Sequence, residues 1–552
     1  MSNDTDRLLA ELASAKPRWR QTSLARRIEL AAACVEGVWR SAGAWVASAC
    51  EAKGLAPDNP TASEDLATGP VAVTRYLQLL ITSLRQLDET GKVALPGPVE
   101  EVGGRLRLPI FPARGLFDSL LFRGYRGWAM LPDDVTRDNL PEHIADHFRR
   151  SLNTEGIALV LGAGNVSSIP AADALSKLFQ ENRVVLLKLN PVNGYLAPVF
   201  EAAFAPLIEA GFLRLMQGGA EAGAYAVQHP QVDEVHITGS LAAHEAIVWG
   251  APGEERDQRR QRNEPLLTKP ITSELSNVTP WIVAPGEYTE RQLDFQAENV
   301  AAMIVNNASF NCIAVKLIVT ARGWPQRERF LDKIDSLLAR QPRRLAYYPG
   351  ARERYRRFVG REPDEVPAGT LPWTLVRGVE IEREPHWFAE ESFVCACAET
   401  GLASDNASDF LNRAVEFVNE RVWGTLGVGL MIPPGFRQSP RAYDQALARL
   451  RYGTVGVNVW PALAYAMMCV PWGGYPGGML ADPQSGIGWV HNTWFLDRVE
   501  KSVVEAPLVV RPKPFWFPTH RQAHVLARRV LDLYRRPAWW KLPGLVGPAL
   551  RG

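Results

Sequence analysis

Cysteine is scarce in this sequence: six residues among 552, at positions 34, 50, 312, 395, 397 and 469. Only Cys395 and Cys397 lie close together, and as a CxC pair on a strand they point to opposite faces. That excludes zinc-ligand spacing and a dense disulfide framework, so no metal is expected and a reducing compartment suits the chain. Long hydrophobic runs are also missing. No stretch of about eighteen apolar residues occurs, so no membrane-spanning helix is expected. The opening, MSNDTDRLLAELASAKPRWRQ, is too polar for a signal peptide, and the expected location is cytoplasmic. A formal net charge of +1 provides no bulk attraction to nucleic acid. Internal repeats and low-complexity tracts are absent too.

What is present is a long chain of ordinary globular composition, 46% hydrophobic and 22% charged, with room for two or three domains. Residues 1–95 read as helical. "SLARRIELAAACVEGVWRSAGAWVASACEAKG" places apolar residues at helical spacing and closes on Gly54, and a second helix is expected near 74–88. Residues 96–140, rich in Gly, Pro and aromatics, read as strands and loops. From 156 to 250 the pattern is clear. Apolar runs at 157–163, 183–189, 212–217 and 232–238 alternate with helix-compatible segments at 170–181, 195–210, 220–229 and 240–249. Such alternation predicts a parallel sheet covered by helices, with ligands at the carboxyl ends of its strands. Here those ends carry "GAGN", "LNP", "QGG" and "TGS", and a helix opening at Ser240 offers free N–H groups to a phosphate.

The charged stretch 250–265 reads as a solvated loop, and strands alternate with helices again from 270 to 480. Residues 501–552 carry ten Lys and Arg against Glu505 and Asp532. Their basic residues are interleaved with Trp516, Trp539 and Trp540. This tail fits either an interfacial segment on a membrane surface or a helix packed on a neighbouring subunit. "ARGLFDSLLFRGYRGWAML" (113–131) fits a substrate-channel cover, an oligomer contact or a surface anchor. The expected division is 1–269, 270–480 and 481–552.

Within this framework "AAMIVNNASFNCIAVKLIVT" (301–320) puts Cys312 in a polar pause before Ile313–Val319, a run that reads as a buried strand. A thiol there is either core filler or a displayed nucleophile. The order GN, K, HPQVDEVHITGS, ELSNVTPWIV, N-x4-C, ESF, GTVGVN, PWGG decides between them. Over roughly residues 150–500 it resembles the aldehyde dehydrogenase superfamily. The resemblance implies an α/β fold of two Rossmann-like parallel-sheet domains plus a small oligomerisation element. It further implies a homodimer or homotetramer, NAD or NADP as cofactor, and an aldehyde as substrate.

Residue by residue, the resemblance makes Cys312 the nucleophile that carries a thiohemiacetal and then a thioester. Asn165, with the Cys312 backbone N–H, becomes the oxyanion donor, and Glu274 the base that activates water. Lys188 grips the adenine ribose, Gly239 and Ser240 with the helix behind them receive the pyrophosphate, and Glu391 and Phe393 hold the nicotinamide ribose. Asn458, the "PWGG" glycines and His229 are structural on this reading.

Departures from the family pattern are specific. "GAGNVSSIP" replaces Pro-Trp-Asn-Phe-Pro, Glu-Leu-Ser-Asn replaces Glu-Leu-Gly-Gly, and Ser309 and Phe310 stand where Gly and Gln are usual. Pro191 occupies the place of a glutamate that selects an unphosphorylated ribose, and His244, read as a packing or surface residue, replaces a glycine. These leave two alternatives beside oxidation to the acid: a CoA-dependent acyl-CoA reductase on the same fold, and a catalytically silent scaffold. The pocket walls expected from "NASFN" and "WPALAYAMMC" are apolar, which points to a medium or long aliphatic, or an aromatic, aldehyde.

Overall fold

The computed structural model describes residues 2–56, 59–113, 115–364, 367–438 and 440–552. Ser23 caps the helix Leu24–Ala52 by accepting from the Arg26 N–H, and Gly54 turns the chain away at φ 63°. Leu30, Cys34, Val38 and Trp45, one or two turns apart, are buried along one face. The second expected helix runs Ala72–Thr90 and stops at the left-handed Gly91.

Strands β1 (Glu100–Val102), β2 (Arg105–Phe111) and β3 (Arg126–Met130) form an antiparallel ribbon. Next come β4 (Ile157–Leu161), β5 (Val184–Lys188), β6 (Leu213–Met216), β7 (Glu234–Thr238) and β8 (Ile271–Glu274). The later strands are β9 (Pro280–Val283), β10 (Leu317–Ala321), β11 (Thr374–Val376), β12 (Ala396–Leu402), β13 (Gly427–Met431), β14 (Thr454–Val457), β15 (Gly486–Ile487) and β16 (Lys501–Glu505). They make two sheets, ordered β15-β8-β7-β4-β5-β6 and β1-β2-β3-β16-β14-β13-β9-β10-β12-β11. In the smaller sheet every pairing is parallel except β15 with β8. Its strands β4 and β5 are continuous apolar runs because helices cover both faces.

β8 pairs with β7, so the smaller sheet extends past residue 270. One expectation needs correction. The stretch 250–265 is solvated but not a loop: Glu254–Arg262 is a helix with no buried residue. Acidic residues in its first turn and arginines in its last complement the helix dipole, and Glu255 pairs with Arg259 one turn on. Residues 501–552 fold back onto their own chain. They begin as β16, between β3 and β14. The helix Ala523–Arg535 then buries Leu526, Ala527, Val530, Leu531 and Tyr534 in its own chain, against the helices Ala62–Leu66 and Ala72–Thr90. Glu36 pairs with both Arg535 and Arg536, and the Arg535 guanidinium lies 4.6 Å from the Trp39 ring centre. Among the described residues no helix is long and apolar enough to cross a membrane.

One buried ion pair fixes the segment 113–131. Asp118, from the short helix Leu116–Leu121, receives both guanidinium nitrogens of Arg75 at 2.8 Å, while Arg75 Nε donates to the Met467 carbonyl at 2.7 Å. Both side chains are almost wholly enclosed. Replacing Asp118 with alanine leaves a buried cation without its partner. The expected loss is ~3–5 kcal/mol of unfolding free energy, measured by urea denaturation.

Candidate active site

The helix Glu290–Val305, opened by a reciprocal cap between Thr289 and Gln292, delivers the chain to the Cys312 loop. Asn307, Ala308 and Ser309 all take positive φ, at 52°, 54° and 68°. Three consecutive non-glycine residues in that region are costly and persist only where the surroundings enforce them. Here the enforcement is explicit. The Asn307 amide donates to the carbonyls of Asn165 and Phe310 at 2.9 and 2.8 Å, and its backbone N–H donates to Glu64 at 2.9 Å. Tyr347 donates to Asn307 Oδ1, and the buried Lys316 ammonium holds the Ser309 carbonyl at 3.0 Å. Lys316 escaped the sequence reading, since one lysine inside an apolar run carries no signal of the loop it anchors. The strand expected from Ile313 begins only at Leu317, because this clamped turn occupies the intervening residues. Phe310, expected in the pocket wall, instead packs with Tyr347, Tyr348 and Phe393, ring centres 5.0 to 5.8 Å apart.

Cys312 faces the end of β8. Its Sγ–H donates to Glu274 Oε1 at 3.1 Å, and Trp472 Nε1–H donates to Glu274 Oε2 at 2.7 Å. Glu274 is only 3% exposed. Burial pushes its carboxyl up to about 7, against the two hydrogen bonds that favour the charged form. Burial, then the Glu274 charge, pushes the Cys312 thiol well above its ordinary range. The resting pair near neutral pH is therefore a neutral thiol beside a carboxyl that is partly ionised. Trp472 was missed as a site residue. "PWGG" drew notice for its glycines, which are needed: a Cβ on Gly473 would collide with the Gly488 carbonyl. The signal for Trp472 was available in principle, since a buried indole N–H requires an acceptor.

Asn165, Lys188, Gly239–Ser240 and Glu274 all stand at the carboxyl ends of neighbouring strands, β4, β5, β7 and β8. Asn165 reaches the nucleophile loop, where its Nδ2 donates to the Phe310 carbonyl at 3.2 Å. The Gly239 N–H donates to the Glu274 carbonyl at 3.0 Å, and the Ser240 hydroxyl caps the helix Leu241–Trp249. Lys188 lies against Gly223, with its ammonium 3.3 Å from the Leu189 carbonyl. Glu391 and Phe393 approach from the loop before β12. Glu391 is close enough for its charge to be felt at Cys312, burial raises its carboxyl, and its Oε1 is enclosed with no protein partner. A ribose hydroxyl is the kind of donor that atom lacks, so these residues fit a dinucleotide. His244 is enclosed, its imidazole pushed down to about 4 by burial, which makes it a packing residue. Asn458, at φ 57°, accepts from the Ile432 N–H at 2.8 Å and holds backbone, as read from the sequence.

Cys312, Glu274 and Trp472 line a cavity of 790 Å³. Trp460, Leu463 and Tyr465 line it as expected of the 460–470 loop, and Leu120–Arg123 and Tyr125 make 113–131 a wall of this channel.

No family model matches the sequence. Solved structures do match. Betaine aldehyde dehydrogenase from Staphylococcus aureus, in complex with NAD+, shares 14% identity at a TM-score of 0.62 over 92% of this chain and 91% of that one. An NAD-dependent aldehyde dehydrogenase from Sinorhizobium meliloti shares 16% at a TM-score of 0.61, covering 91% and 86%. An NADP-dependent enzyme from E. coli shares 13% at a TM-score of 0.59, covering 91% and 90%. With two sheets, a cysteine loop between them and near-complete coverage of such structures, the chain has the aldehyde dehydrogenase fold.

Proposed function

We propose that this chain oxidises an aldehyde to the carboxylic acid with NAD or NADP, through a thiohemiacetal and a thioester on Cys312. The observation that supports it most is the contact of the Cys312 thiol with a carboxylate held by Trp472. Glu274 takes the thiol proton, and the thiolate attacks the carbonyl carbon. The second N–H of the Asn165 amide and the Cys312 backbone N–H receive the oxyanion. Collapse of the oxyanion expels a hydride from this carbon and leaves the thioester on Cys312; a nicotinamide, when bound, would supply the hydride acceptor. Glu274, after releasing its proton to solvent, then draws one from water as that water attacks, and the acid leaves with the cysteine restored. Glu391 Oε1 would accept from a ribose hydroxyl, Lys188 would hold the other ribose, and the N–H groups behind Gly239 and Ser240 would receive the pyrophosphate. Pro191 has no charge to repel a 2′-phosphate, so both NAD and NADP are admitted. The open edge strand β1 gives the chain a surface for a homodimer or homotetramer.

The test is NAD(P)H formation across a panel of aldehydes, with and without CoA. Turnover without CoA is expected. A single burst that needs CoA to continue would replace hydrolysis by acyl transfer to CoA. No oxidation of any aldehyde, and no reduction of acyl-CoA in reverse, would overturn the reading and favour a silent scaffold.

Trp472→Phe removes the donor to Glu274 Oε2. A hydrogen bond to a charged group is worth ~1.5–3 kcal/mol, so kcat is expected to fall about tenfold or more with KM little changed. The rising limb of the pH–rate profile moves upward, because the carboxylate loses a stabilising partner. A profile that stays in place would give Trp472 a packing role only.

A further inference from the structure

The end of the chain roofs the cavity. The helix Leu542–Leu550 lines it with Leu542, Leu545, Val546, Ala549 and Leu550. That spacing is the apolar stripe a helix normally turns to a protein core; Leu545 is buried in a cluster with the helix Ala523–Arg535, while Val546 and Leu550 stay exposed at the cavity. At ~1.5 Å per residue the stripe is about 12 Å long. The helix Ala523–Arg535 adds Leu526, Val530 and Tyr534 as a second wall. The buried Glu274 and Cys312 line the same space as Leu120, Val546 and Leu550, which are 59%, 54% and 71% exposed and open it to solvent. Of its charged lining residues Glu64 and Arg344 neutralise each other at 2.7 Å, while Arg123, Arg511 and Lys513 add positive charge. The lining is mostly apolar, with the reactive pair in a buried part of it.

We propose that this tunnel takes the alkyl chain of a long, straight-chain aliphatic aldehyde, and that the two C-terminal helices are its chain-binding element. The proposal rests on the dehydrogenase reading and names its substrate class. With its carbonyl carbon at Cys312 the substrate lays its hydrocarbon along these walls, and each methylene so buried leaves water. The expected gain is about fourfold in kcat/KM per added methylene until the tunnel is filled, equivalent to ~0.8 kcal/mol for a buried CH₂.

The experiment compares butanal, octanal and dodecanal on the wild-type chain and on Val546→Trp, a half-exposed site where a larger side chain does not disturb the core. Leu545→Trp, deeper in the roof, is the second variant. In wild type kcat/KM is expected to climb with length, and in each variant the dodecanal-to-butanal ratio is expected to fall at least tenfold. Independently of turnover, Cys312→Ala protein is titrated calorimetrically with butanoate, octanoate and dodecanoate, with Kd expected to tighten along the series. Oxidation of butanal with a flat length profile would overturn the tunnel while the dehydrogenase reading stands. Length-dependent binding of the acids with no aldehyde oxidised would uphold the tunnel while that reading fails. An unchanged ratio in a folded Val546→Trp chain would remove the C-terminal helices from the proposal.

Discussion

Cys312→Ala is expected to reduce kcat/KM for aldehyde oxidation on the order of 10⁴-fold or more, because every covalent step uses the sulfur. The loop itself should survive. Its left-handed residues are held by Asn307, Tyr347 and Lys316, none of which bonds to the thiol. Unfolding midpoints should therefore match wild type, and long-chain acids should still bind. Cys312→Ser is expected to behave almost as poorly, because an alkoxide at that position is far harder to form than a thiolate. Turnover retained by either variant would place the nucleophile elsewhere. A biological role retained without turnover would support the scaffold alternative.

Glu274→Gln is expected to lower steady-state turnover by roughly 10²–10⁴-fold, and to do so unevenly. The amide still accepts from Trp472 but can take a proton neither from the thiol nor from water, so the thioester forms more slowly and its hydrolysis is lost. Once formed, the thioester should persist, giving one NAD(P)H per site and then a stall. Intact-protein mass spectrometry should show the acyl group on Cys312. Loss of the Glu274 charge also removes one of the influences that raise the thiol, leaving burial and the Glu391 charge, so the variant's burst should appear at lower pH than in wild type. In wild type the sign is fixed by the base role. Glu274 must be ionised to act, burial raises its carboxyl to about 7, and turnover should climb as pH passes through that value and then level off. A flat profile from acid to alkaline pH, or rapid turnover in Glu274→Gln, would assign the base to another group.

Much of the smaller sheet was legible because parallel strands covered on both faces read as unbroken apolar runs, and β4 and β5 are such runs. Cys312 and Glu274 were legible through their order along the chain, and the structure brings them into contact. Other features left no local trace. The helix Glu254–Arg262 has no apolar stripe to announce it; its charges support it instead. The left-handed run Asn307–Ser309 lacks glycine, the residue that normally signals such backbone. Trp472, 198 positions from Glu274, is tied to it only by the fold. The apolar stripe of the tail was visible, but periodicity states that a face is covered without stating what covers it.

Strand β16 has a consequence for how the protein is made. It lies between β3, near the start of the chain, and β14, so it joins the N-terminal ribbon to the rest of the larger sheet. A ribosome adding ~5–20 residues per second needs on the order of tens of seconds between finishing β3 and finishing β16. Through that interval the inner edge of β3 has no partner, and an unpaired edge is a template for the wrong neighbour. A message cut short before residue 501 would yield neither a smaller enzyme nor an unroofed one, but a nascent chain with its sheet still in two parts. Quality-control proteins that bind exposed strands should therefore meet this chain late in translation, and release it only when residues 506–552 have followed β16 into place.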